Sequence, residues 1–352
     1  MLKVRRVREH ETQRFAALDG LRAAAALGVL LYHVAGWTGR PGWFAHGYLA
    51  VDFFFCLSGF VLAHAFERRQ IGWPAYVWIR VVRIWPLLVL STVIGAILTS
   101  RHSPPFWPNL ARGLLLVPRL GHPADWTFPS LFPFNPLAWS LCLEVIVSVL
   151  WFPLRRLPDL GLMAVVLLSG AMMVYVASTL NGIETGWDQA TFWWGVARAS
   201  FSFSLGWVCW RYRALAPKPR LLAPVLALLA AMAVPLLPGP PWTGLAWNGV
   251  PWNGLYDLAC VAMLFPMLVL VGAHDPQGVA GAVCRTTGDV SYPLYAMHWA
   301  TWAVMLRLYP YRWELPLPAW FGVLGVFVAL ATAWAAFRFY DAPVRRWLRA
   351  RS

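Results

Sequence analysis

Apolar residues in this chain come in runs of about 18 or more, the length an α-helix needs to cross a hydrocarbon core of roughly 30 Å. Backbone amides in lipid must be satisfied inside one helix or inside a closed barrel, and the runs lack the two-residue alternation of barrel strands. The chain therefore reads as all-α, a polytopic integral membrane bundle. Composition agrees: of 352 residues, 59% are hydrophobic and 12% charged, against roughly 45–50% apolar and 25% charged in soluble domains.

The runs predict about ten transmembrane helices, at about 17–37, 48–66, 76–98, 136–154, 159–179, 191–210, 221–237, 255–273, 289–308 and 318–340. A basic N-tail (1–16) and a basic C-tail (341–352) flank this transmembrane domain (17–340). Ten spans put both termini on one side. On that side lie 20 Lys and Arg, against 6 on the other, so the positive-inside rule makes both termini cytoplasmic, as expected in a bacterial cytoplasmic membrane. The stretch 99–135 is rich in Pro and aromatics, and Phe106 to Pro118 reads as a surface or re-entrant helix. A full crossing there would invert every later span, which the charge asymmetry opposes. The net charge of +14 suggests nucleic acid at first sight, but the cations are scattered between apolar runs, and topology explains them better. Five Cys without CxxC spacing, together with the absence of an HxxH or carboxylate cluster, argue against a disulfide framework or a metal site.

An ionisable side chain inside a span costs at least about 2.5–3.5 kcal/mol, so each one is a functional hypothesis. Arg22 and His33 share the first span and one helix face, about 16 Å apart along the axis, with His33 leaning back toward Arg22. His33 alone would read as a hydrogen-bonded structural residue. Asp52, at the start of the second span, falls near the level of His33 and is expected to orient the imidazole; an N-cap accounts for it equally well. Ser58 and Gly59 suit close helix packing. Arg80 and Arg83, at i,i+3, are either interfacial anchors or a phosphate clamp. Glu144 shares a face with Ser140 and needs a partner on another helix, for which Arg22, His33 and Arg198 are the candidates. His298 stands among apolar neighbours in the ninth span.

Five segments occur in order. They are Ala17-Leu18-Asp19-Gly20-Leu21-Arg22 followed by His33; Asp52 to Phe60; Arg80 to Arg83; Trp139 to Glu144; and Ser291 to His298. With the closing Asp341-Ala342-Pro343-Val344-Arg345-Arg346, this order resembles the membrane acyltransferase-3 family over residues 16–346. The resemblance implies about ten spans, an acyl-CoA donor (often acetyl-CoA) taken from the cytoplasmic side, and transfer to a hydroxyl of a sugar, polysaccharide, glycolipid or secondary metabolite. It makes Arg22 and His33 the catalytic pair and Arg80 and Arg83 the cytoplasmic basic motif. Val145 and Ile146 depart from the polar or aromatic residues that more often follow Glu144 in the family, and no SGNH-type domain follows the bundle.

Together the two readings give a catalytic set of His33, Arg22, Asp52 and Glu144 and a donor-binding set of Arg80, Arg83, Ser58 and His298, with acyl-CoA as co-substrate, a carbohydrate or glycolipid acceptor, membrane lipids around the bundle, and no metal or nucleic acid. Neutral His33 would take the proton of the acceptor hydroxyl as it attacks the thioester, or carry the acyl group itself. The rival class is a transporter or flippase that uses the same buried charges as a relay.

Overall fold

The computed structural model describes residues 15–99, 105–121, 130–215, 230, 233–234, 246–273, 278–309 and 316–351. Most of the basic N-tail and of the predicted seventh span, 221–237, lies outside the described residues. Ten helices are described: α1 (Ala16–Trp37), α2 (Ala50–Phe66, led in by a 3-10 turn Gly47–Leu49), α3 (Trp73–Leu98), α4 (Phe106–Leu115), α5 (Ala138–Leu154), α6 (Asp159–Leu180) and α7 (Phe192–Tyr212), followed by α8 (Trp252–Gly272), α9 (Gly278–Leu308) and α10 (Ala319–Ala350). Each of α8 and α10 contains one wide turn, at Cys260–Leu264 and Ala336–Asp341. A small hairpin of β1 (Ala246–Trp247) and β2 (Val250–Pro251) turns through Asn248 and Gly249, both at positive φ, as a tight hairpin requires.

Local chemistry explains the helix ends. Pro74 sits in the first turn of α3, where its missing N–H costs nothing. Asp159 opens α6 at the positive end of its dipole, and Asn181 closes it in the left-handed conformation that stops helices.

Among the described residues, α1, α2 with its lead-in turn, α3, α6, α8 and α10 are long and apolar enough to cross a membrane, at 20 to 32 residues each. Between them α5 is apolar but only 17 residues long, while α7 and α9 are 21 and 31 residues long and carry charge. By contrast α4 has ten residues, about 15 Å of helix, half a hydrocarbon core, so it does not cross. On α6 a single stripe of Leu162, Val166, Ser169, Met173 and Val176 faces the bundle, while Leu160, Leu167 and Leu168 are 67 to 83% exposed. Apolar surface this extensive belongs against lipid, and the protein is a multi-pass integral membrane protein.

The bundle is drawn together where backbones touch. A Cβ on Gly59 of α2 would overlap the Phe203 carbonyl of α7, and one on Gly206 of α7 would overlap the Cys56 carbonyl of α2. Gly20 on α1 meets Cys284 on α9, and Gly288 on α9 meets Asp19 on α1. Small residues allow this approach where lipid offers no hydrophobic drive between helices. Gly59→Ala and Gly206→Ala should each lower stability by about 1–3 kcal/mol through overpacking. The control is Gly36→Ala, where a Cβ meets nothing within 4 Å. Size-exclusion chromatography after a temperature ramp in detergent should show the first two aggregating at lower temperature and the third unchanged.

Candidate active site

Near the end of the bundle that carries Phe15 and Arg349, two connected lobes of about 420 and 460 Å³ open between α1, α2, α3, α9 and α10, and α5 walls one of them. Arg22, Val61, Ala65, Arg83, Tyr292 and Arg349 line both lobes. Six arginines in all (Arg22, Arg69, Arg80, Arg83, Arg345, Arg349) face three carboxylates (Asp19, Glu144, Asp289), so the cavity is cationic and attracts anions.

The arginines are held in different ways. Arg80, buried at 4% exposure, donates from Nη2 to Glu144 Oε1 at 2.6 Å, and Ser58 Oγ donates to the same oxygen at 2.8 Å. Glu144 thus pairs with Arg80 rather than with Arg22, His33 or Arg198. It joins α5 to α2 and α3, and Ser58 serves this carboxylate while its neighbour Gly59 makes the close packing. Arg22 donates to Asp19 at 2.9 Å, one turn back on α1. Arg345 is paired with Asp341, the residue one turn back that ends the wide turn of α10. Arg83 lines both lobes and, among the described residues, makes no hydrogen bond or ion pair. A half-buried guanidinium left this way has its planar fork available to an incoming anion.

Phe54, Ser140 and Tyr295 also line the first lobe, and the hydroxyls of Ser140 and Tyr295 are hydrogen-bonded to each other. Behind Tyr295, with ring centroids 6.1 Å apart, stands His298. Its Nδ1 lies 3.1 Å from the Leu294 carbonyl; a carbonyl only accepts, so Nδ1 carries the proton. Nε2 is then a bare lone pair, buried and without a hydrogen-bond partner in the described structure. His33 follows at 5.4 Å from His298, wrapped by Tyr32, Trp37 and Trp299 at 5.2 to 5.8 Å. His33 and Arg22 therefore do not touch: Arg22 lines the cationic cavity, and His33 is reached from its wall through Tyr295 and His298.

Asp52 is placed elsewhere than expected. Fully buried, it receives Arg198 Nε on both oxygens at 3.0 Å, Arg198 Nη2 on Oδ2 at 2.5 Å, and the Ser202 hydroxyl on Oδ1 at 3.1 Å. Arg198 spends its other donors on the carbonyls of Thr185 and Tyr48. The lone pairs of Asp52 go to this cross-brace and not to the imidazole of His33. Two polar constellations had no signal in the sequence beyond the rarity of charge in apolar stretches: Asp257 with His46 and Tyr48, and Glu184 with Tyr32. Among the described residues no group of three or more His, Cys, Asp or Glu is placed to hold a metal.

A family model described as an acyltransferase domain, Acyl_transf_3, matches residues 15–338. The chain is 35% identical over 158 residues to "Protein 2 in picA locus" of Rhizobium radiobacter, covering 40% of this chain and 81% of that one. It is 23% identical over 372 residues to a peptidoglycan O-acetyltransferase of Listeria monocytogenes, covering 97% of this chain and 58% of that one. The chain thus spans little more than half the length of that longer relative. No solved structure matches it.

Removing one partner of the Asp52–Arg198 pair leaves a buried charge uncompensated, at a cost of about 3–5 kcal/mol. Asp52→Asn and Arg198→Met should each lower the melting temperature in detergent steeply. The double replacement Asp52→Leu with Arg198→Met should recover most of the loss, which a thermal melt of all three variants checks.

Proposed function

Because this chain belongs to the acyltransferase family Acyl_transf_3, we propose that it is an O-acyltransferase that moves an acyl group, acetyl first among the candidates, from acyl-CoA to a hydroxyl of a carbohydrate or glycolipid. The observation that carries this reading is the pairing of a cationic cavity, with one guanidinium left open, and two adjacent imidazoles behind its Tyr295 wall. A CoA thioester has a polyanionic head and a long neutral arm ending in a reactive carbonyl, and the two ends of this site have matching chemistry.

In this reading about ten helices span the membrane and both termini are cytoplasmic, so the cationic cavity opens to the cytoplasm. Arg83 takes the phosphates of CoA with help from Arg22, Arg345 and Arg349, while Arg80 is held by Glu144 as the fixed wall of the same site. The pantetheine arm runs past Ser58 and Ser140. Displacement of Tyr295 from Ser140 opens the last step to His298 and His33. His33 accepts the hydroxyl proton while the oxygen attacks the thioester carbon; the carbon–sulfur bond breaks and the thiolate leaves to be protonated as CoA. In the covalent variant the His33 ring holds the acyl group between the two half-reactions. His298, its tautomer fixed by the Leu294 carbonyl, keeps its unpartnered Nε2 lone pair beside the His33 ring, where it can accept a proton or hydrogen bond once substrate binding turns that ring.

His33→Ala should bind CoA as the wild type does and lose transfer by about 10²–10⁴-fold, the usual share of a positioned general base. Arg83→Gln should weaken CoA binding by about tenfold or more, the worth of a charge-assisted hydrogen bond. Titration with CoA and release of free CoA thiol, measured on purified protein in detergent, separate the two effects. Full transfer by His33→Ala would overturn the reading. Mass spectra of surface polysaccharides and glycolipids from cells with and without the gene identify the acceptor.

A further inference from the structure

At the opposite end of the bundle from the arginines, three connections meet around a second kind of cavity. The lead-in to α2 contributes His46 and Tyr48, the α6–α7 connection contributes Asn181, Gly182 and Glu184, and α8 contributes Asn253; together they enclose about 300 Å³. That is the small end of the range for ligand pockets. It suits one ring rather than a chain.

The walls are built rather than incidental. Asp257, fully buried, accepts the Tyr48 hydroxyl at 2.6 Å and the Ile183 amide at 3.0 Å, and lies 3.2 Å from His46 Nδ1. A carboxylate only accepts, so Nδ1 carries a proton, and in the neutral ring Nε2 is the acceptor left for a ligand. Among the described residues His46 Nε2 has no hydrogen-bond partner, although the residue is only 5% exposed. Glu184 accepts the Tyr32 hydroxyl at 2.6 Å through one oxygen and has the other available. Asn253 donates to the Asn181 carbonyl at 2.6 Å, which orients its amide. A side chain at Gly182 would press on Asn253 and on Asp257, so the glycine keeps the space open.

Two features select the ligand. Among the described residues no Lys or Arg lines this pocket, in contrast to the six arginines of the other cavity, so phosphate and carboxylate ligands find no cation there to pair with. The available groups are mostly acceptors, a carboxylate oxygen and an imidazole lone pair, and they need a ligand that brings several hydroxyl donors. The pocket also adjoins the histidines: Tyr32, which bonds Glu184, precedes His33 in sequence, and its ring lies 5.2 Å from that imidazole. We infer that this pocket, built by Glu184, by His46 braced on Asp257, and by Asn253, binds one neutral sugar residue of the acyl acceptor, an assignment that rests on the acyl-transfer reading above for the word acceptor.

The test is saturation-transfer NMR on the full chain in a polyoxyethylene detergent, which has no sugar headgroup. The probes are methyl glucoside, methyl galactoside and N-acetylglucosamine; glucose 6-phosphate and glucosamine serve as anionic and cationic controls. The wild type should transfer saturation to at least one neutral sugar and not to glucose 6-phosphate. Glu184→Ala, at an exposed position where folding is safe, and His46→Ala should reduce that signal by about tenfold. Both variants should still titrate with CoA as the wild type does. Absence of transfer to every neutral sugar, an undiminished signal in both variants, or preference for glucosamine or glucose 6-phosphate would each overturn the assignment. The two readings fail separately. A sugar signal that depends on Glu184 without release of CoA thiol in the presence of acyl-CoA leaves the pocket standing and removes acyl transfer. Acyl transfer with an acceptor KM unchanged in Glu184→Ala does the reverse.

Discussion

Arg198 closes on Asp52 between α7 and α2 with both side chains sealed from solvent, and the rest of the bundle is organised around that contact. A charge in the bilayer interior is tolerated only when its partner arrives with it, and here the partner lies 146 residues away in sequence. Six hydrogen bonds hold the pair: Nε on both carboxylate oxygens, Nη2 and the Ser202 hydroxyl on one oxygen each, and two from the guanidinium to the carbonyls of Thr185 and Tyr48. Because Thr185 and Tyr48 belong to the connections at the far end of the bundle, the same pair also fixes the floor of the sugar-sized pocket. Gly59 and Gly206 let α2 and α7 approach closely enough for the bond to form. Packing and electrostatics therefore depend on one another at this interface.

The helical nature of the chain was legible because it follows from a single constraint, backbone amides in lipid, and the apolar runs record that constraint directly. Helix α4 was readable as a surface or re-entrant segment on other grounds: a full crossing there would invert every later span, against the asymmetry of the cations. The residues of the cationic cavity were also legible, since Arg22, Ser58, Arg80, Arg83 and Glu144 are polar where polarity is expensive. Their pairing was not. Glu144 bonds Arg80, and Asp52 bonds Arg198, because the lateral order of helices in the membrane plane decides which faces meet, and no periodicity within one span encodes it. His46, Tyr48 and Glu184 were invisible for a different reason. They lie in connections, where polar residues are ordinary, and only their convergence on Asp257 and Tyr32 distinguishes them.

The two cavities differ in charge. Six arginines line the first, none among the described residues lines the second, and the two imidazoles stand between them. For the proposed reaction this order has a physical use. A polyanionic donor and a neutral acceptor are sorted by electrostatics before either reaches the reacting centre, so the wrong ligand at either end meets an unpaired charge or an unfilled acceptor.

The layer of Phe54, Ser140 and Tyr295 gives the same arrangement its chemical control. A thioester exposed to water near a basic imidazole hydrolyses, and exclusion of water is the ordinary protection for such an intermediate. Here the bonded hydroxyls of Ser140 and Tyr295 stand between the cationic cavity and His298, and the rings of Tyr32, Trp37, His298 and Trp299 pack around His33. An arm with an amide or carbonyl oxygen can replace Ser140 as the partner of the Tyr295 hydroxyl and move the ring aside without leaving a polar group unsatisfied. Water makes the same exchange but supplies no binding energy elsewhere to hold the ring open. In the proposed reaction the barrier would thus yield to a donor whose head is already anchored at Arg83, and the cation left without a bond among the described residues would be the group that licenses access to the histidines.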